Sequence, residues 1–113
     1  ATGPGQLTLK PAKLRPQAEQ DLVDTARYYV QVGGHALGAK MFDAGLAALE
    51  TIQHEPGIGS PRIGQLCDIR GLRSWRVSGF PAQWFYFETD SYLDVVRLLG
   101  DRQDIAAILT DES

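Results

Sequence analysis

At 113 residues, with 43% hydrophobic and 22% charged side chains, the chain has the size and make-up of one globular domain, which excludes disordered and fibrous classes and leaves no room for a second core. Its formal net charge of -3 argues against a protein whose main affinity comes from neutralising phosphates, since such domains carry a basic excess. A single cysteine, Cys67, can form no internal disulfide and, without a second Cys and two well-placed His, no zinc site.

No apolar run approaches the roughly 18 residues of a membrane span, and no basic segment leads into an apolar stretch with a small-residue cleavage site. The chain as given therefore reads as cytosolic. Residues 1–11, rich in Gly, Pro and Thr, read as a flexible end left by trimming or cloning, and residues 12–113 as the domain. Pro11 interrupts the alternation of residues 7–15, so a first strand is short or at an edge, near Ala12 to Pro16.

After Pro16 a helix is predicted, with Glu19, Asp21 and Asp24 near its positive end and Leu22, Ala26, Tyr29 and Val30 on one apolar face. Gly33 and Gly34 stop it. A second helix from Ala36 to Glu55 carries the stripe Leu37, Met41, Phe42, Gly45, Ala48, Leu49 and Ile52. Its small residues Ala39, Ala44, Gly45, Ala47 and Ala48 suit close helix packing, and the short connection predicts an antiparallel hairpin.

Residues 56–64 read as a loop punctuated by Gly and Pro. The period then changes to two: Leu72 to Val77, Gln83 to Glu88 and Leu93 to Leu99 form an antiparallel meander with short turns. Gly100 ends it, and Asp101 is placed to cap a short last helix with Ile105, Ile108 and Leu109. The fold class is therefore α+β: N-terminal strand, two-helix antiparallel hairpin, three-strand antiparallel meander, short C-terminal helix. Because strand residues alternate faces, the run Trp84-Phe85-Tyr86-Phe87 must split. Either Phe85 and Phe87 or Trp84 and Tyr86 pack on the helices.

Several stretches in this order resemble the ParE/RelE superfamily of type II toxins, the ParE branch most closely. They are Ala18-Glu19-Gln20-Asp21-Leu22 with Tyr28-Tyr29, the loop Pro56-Gly57-Ile58-Gly59, the strand entry Gly71-Leu72-Arg73, and the run Val96 to Asp104. The resemblance covers roughly Ala12 to Leu109. It departs at Gly100-Asp101-Arg102-Gln103-Asp104, where the family often has His-Gly-Arg-Arg-Asp, so only Arg102 and Asp104 carry over.

The resemblance implies a bacterial, cytoplasmic toxin of a toxin–antitoxin system, of the kind tied to plasmid stabilization. It would inhibit DNA gyrase without an enzymatic activity or cofactor of its own and form a hetero-oligomer with a ParD-like antitoxin. The alternatives are a RelE-like, ribosome-dependent mRNA endonuclease and a non-toxic relic that only binds an antitoxin.

A nuclease must stabilise charge on a phosphorane and protonate a leaving oxygen, tasks for Lys, Arg, His or a tuned Tyr. All lysines (Lys10, Lys13, Lys40) precede the meander, where Arg70, Arg73, Arg76, Arg97 and Tyr86 stand among Asp68, Glu88, Asp90 and Asp94. That near-balance, with the acidic chain, favours protein contact over RNA chemistry, and no nucleic-acid or membrane binding is expected of the chain alone. His35 and His54 read as exposed or capping residues. The candidate partner-contact residues are Leu37, Trp75, Trp84 and Tyr86, with Arg73, Arg97 and Arg102 as charged candidates.

Overall fold

In the computed structural model, which describes residues 9–112, strand β1 spans Ala12–Leu14 and helix α1 spans Pro16–Gly33. Pro16 sits in the first turn of α1, where the missing N–H leaves no hydrogen bond unmade. Gly34 alone joins α1 to α2 (His35–His54), at φ 94°, a left-handed conformation that glycine adopts without a side-chain penalty. The helices fold back on each other with Gly38 against Val30 and Gly45 against Leu22. Of the small residues expected at this seam, Ala39 and Ala47 face solvent instead.

The loop after α2 is more ordered than its Gly and Pro content predicts. It holds a 3₁₀ turn, Pro56–Ile58, and a short helix α3, Arg62–Leu66, both too brief to show a hydrophobic period. Strands β2 (Arg73–Arg76), β3 (Ala82–Glu88) and β4 (Leu93–Gly100) then form the meander, and α4 (Ile105–Glu112) ends the chain. The cap of α4 is Asp104, whose Oδ1 accepts from the Ala107 N–H at 3.2 Å, rather than Asp101, which is drawn away by Arg76.

The sheet order is β1-β4-β3-β2, with β1 parallel to β4 and the other pairs antiparallel. Residues 1–8 of the expected flexible end lie outside the described residues. Lys10, also assigned to that end, is held: its N–H bonds Gln53 O at 3.1 Å and its ammonium bonds Glu88 at 2.8 Å.

A β-bulge sets the two faces of the sheet. Phe85 pairs with Arg97 but Tyr86 pairs with Val95, so Val96 is the inserted residue. Without the insertion, Val95 and Leu98 would point to opposite faces. With it, both join Trp84, Tyr86 and Leu93 against Ala18, Leu22, Met41, Ala48 and Ile52 of the hairpin. The opposite face carries Phe85, Val96 and Leu99 against Leu72 and Leu109 of α4, flanked by Ile63, Ile69, Ile105 and Ile108. Trp84 and Tyr86 are therefore the pair that packs on the helical hairpin, and both faces of the sheet are covered. No described helix is long and apolar enough to cross a membrane.

Candidate functional site

The seven residues expected to contact partners do not form one surface. Trp84 is 0% exposed and its indole Nε1 donates to Gly45 O at 3.0 Å, where the bare glycine brings the α2 backbone within reach. Tyr86 is likewise 0% exposed. Its hydroxyl donates to Pro56 O at 2.6 Å and accepts from Gly59 N–H at 3.0 Å. Burial raises the pKa of this phenol, opposed by the Gly59 N–H and the Arg73 charge. Burial corrects the expectation that Trp84 and Tyr86 reach a partner from the folded chain.

Arg73 donates to Gly59 O at 2.7 Å and Gly57 O at 3.2 Å, so with Tyr86 it latches the 57–59 loop onto the sheet. Arg97 is held by Asp21 of α1, through Nε at 2.7 Å and Nη2 at 3.0 Å. The same carboxylate accepts from the Leu98 N–H at 3.0 Å and from Gln17 at 3.1 Å, which satisfies a buried anion that would otherwise be costly. Leu37 and Trp75 are half-buried at the margin of the hairpin core. Only Arg102 stands free: it is exposed and, among the described residues, has no hydrogen bond or ion pair.

Arg102 lies on a groove of about 850 Å³ between α1 and the end of β4. One wall is Tyr28 and Val32, 56% and 57% exposed and one helical turn apart. Buried Leu98 and half-buried Tyr29 line the groove with them. Tyr29 packs edge-on to both Tyr28 and Phe80, at 5.1 and 5.0 Å between ring centres, which fixes the aromatic wall.

On the β4 side, Arg76 grips Asp101 with two bonds of 2.8 and 3.1 Å. That hydrogen bonding holds the Asp101 carboxyl below its ordinary pKa and raises that of Arg76. Val32 is absent from the predicted apolar face because it lies beside that face of α1; its i, i+4 spacing from Tyr28 was the available signal.

The remaining chemical groups are scattered. His35 is exposed at the start of α2, and exposed His54 places Nδ1 3.0 Å from Glu50 O. Cys67 is half-buried. Among the described residues no three or more His, Cys, Asp or Glu gather to hold a metal ion.

The fold is the ParE/RelE-like arrangement that the sequence resemblance implies. A chain from a solved structure described as "Chromosomal ParDE TA system from P. aeruginosa" matches it with a TM-score of 0.70 and 17% sequence identity, covering 81% of this chain and 96% of that chain. At that identity the likeness is one of fold. No family model matches the sequence, and no curated protein matches it.

Proposed function

We propose that the chain is the toxin of a bacterial type II toxin–antitoxin pair, that it acts in the cytoplasm by binding a protein target, DNA gyrase, and that a ParD-like antitoxin neutralises it in a hetero-oligomer. The fold likeness to a chain of a ParDE system supports the class. The observation that favours protein binding over RNA cleavage is the covering of both sheet faces, by the helical hairpin on one side and α4 on the other. Phosphoryl chemistry on RNA needs cations and a proton donor converging on an open site. Here Arg73, Arg76 and Arg97 are engaged internally, and the Tyr86 phenol is enclosed and spent on Pro56 O. The net charge of -3 adds an unfavourable field for approach to ribosomal RNA.

Three measurements on the full chain test this reading. Expression without an antitoxin is expected to arrest growth; the purified protein is expected to inhibit gyrase supercoiling and to leave translated mRNA intact. Ribosome-dependent cleavage with gyrase unaffected would overturn it, and absence of growth arrest would point to a non-toxic antitoxin-binding chain.

A further inference from the structure

We propose that the outer side of the α1–α2 hairpin, turned away from the sheet, is a docking surface for a second copy of this chain, related to the first by a two-fold axis that crosses the hairpin at Val23. The inference goes beyond the toxin reading and does not depend on it.

The core leaves an apolar patch on this outer side. α1 and α2 give Ala18, Leu22, Met41, Ala48 and Ile52 to the sheet and close on each other with Gly45 against Leu22 and Gly38 against Val30. A helix turns about 100° per residue, which carries Val23, Phe42 and Leu46 past this seam to the side away from the sheet. They are 42%, 38% and 44% exposed. The register of the seam sets Val23 level with Ala44, midway between Phe42 and Leu46. Single exposed apolar residues are ordinary, but three gathered on one face of packed helices mark a contact surface.

Charge identifies what covers it. On α1, Glu19 and Arg27 stand four residues to either side of Val23, in the row that one helix face presents. Both are exposed. Among the described residues the Glu19 carboxylate has no partner, and Arg27 has only Asp24, at 3.5 Å. A two-fold axis through Val23, perpendicular to the helices, lays α1 antiparallel on its copy and brings Glu19 of one chain to Arg27 of the other. Because the same axis passes midway between Phe42 and Leu46, it also sets Phe42 over Leu46 of the copy, and Val23 over Val23. Pairing of this reciprocal kind defines an isologous interface, and the two hairpins together form a four-helix layer. An anionic surface such as nucleic acid or lipid headgroups fits poorly, since exposed Glu19, Asp24, Asp43 and Glu50 outnumber Arg27 and Lys40 on the hairpin.

Helices of 18 and 20 residues present a face about 27–30 Å long and about 20 Å wide. That footprint, about 550 Å² per copy, is toward the low end for a specific contact, so the dimer is expected to form reversibly as concentration rises.

Sedimentation equilibrium of the purified full chain over a concentration series tests this. The mass is expected to climb from that of the 12.4 kDa chain toward twice that value. Leu46→Glu is expected to weaken self-association about tenfold or more. Glu19→Arg and Arg27→Glu each set like charges face to face across the axis and are expected to weaken it about fivefold. Both exchanges in one chain restore the opposite-charge pairs and are expected to recover most of that loss, while the unfolding curves of the charge variants stay close to wild type.

A chain that stays monomeric at every concentration overturns the proposal, as does a dimer that Leu46→Glu leaves unchanged. Failure of the double exchange to restore association overturns the axis. A monomeric chain whose binding to the antitoxin, or to anionic vesicles, is lost in Leu46→Glu would give the face to that occupant and overturn the proposal too. None of these results bears on growth arrest or gyrase inhibition, which test the toxin reading.

Discussion

The two faces of the sheet are both apolar and both covered, yet they are closed in different ways. The hairpin face is closed by two long helices, and Trp84 locks into it with a hydrogen bond to the α2 backbone. The opposite face is closed by the eight-residue α4, where, among the side chains described, Leu109 alone is fully buried. Leu66 of the neighbouring α3 remains 74% exposed. Ring burial with a directional bond makes a rigid wall, whereas a short amphipathic helix at a chain end makes a cover of low local stability.

Truncation at the hairpin face should have the largest effect. Trp84→Ala removes a fully buried indole and leaves the Gly45 carbonyl without a donor, an expected loss of about 3–5 kcal/mol in denaturant unfolding; a loss below about 1 kcal/mol would erase the contrast between the faces. Asp21→Ala leaves the Arg97 guanidinium and the Leu98 N–H without their acceptor, an expected loss of about 3 kcal/mol by the same measurement.

On the other face Leu109→Ala is expected to cost about 2 kcal/mol. Amide exchange in α4 should quicken, while exchange in α2 stays close to wild type relative to global stability. Equal acceleration in both helices would show one cooperative body.

Tyr86→Phe keeps the ring and removes the hydroxyl, with an expected loss of about 1–2 kcal/mol. Because the folded phenol titrates above its ordinary value, its neutral form contributes stability fully below pH about 10, lost as pH rises through the folded value. The wild type should therefore lose stability as pH rises above about 10 by a component that the Phe variant lacks. The smallest effect belongs to the exposed Arg76–Asp101 pair. Arg76→Ala should change stability by less than about 1 kcal/mol, and less again in high salt.

The element order was legible because each long element announces its period. Leu22, Ala26 and Tyr29 recur as a helix requires, and the strands are set off by Gly and turn residues. The sheet faces were not, since the one-residue insertion at Val96 re-phases β4 and no periodic pattern marks it. Strand alternation leaves Trp84 and Tyr86 as partner anchors only if Phe85 and Phe87 face the helices; the Gly45 carbonyl and the Pro56–Gly59 loop, 39 and 30 to 27 residues away in sequence, instead give their polar tips internal partners.

Asp21 shows the same limit: as a carboxylate near a helix start it reads as a dipole partner, and its real partners lie 76 and 77 residues further on. Arg102 was singled out through the resemblance, whose pattern carries over to it in the stretch Gly100-Asp101-Arg102-Gln103-Asp104.

The parallel pairing of β1 with β4 carries a consequence for how the chain is made. The hairpin and the meander are built from neighbours in sequence and can form as soon as their residues exist, but Ala12 has no strand to join until Leu93 and Val95 have been synthesised. Closing so long a loop is entropically slow, so the first strand laid down is among the last to be seated. A nascent chain halted before β4 would hold a formed hairpin over a sheet lacking its central strand, with the apolar sides of α1 and α2 open to whatever else the cell presents.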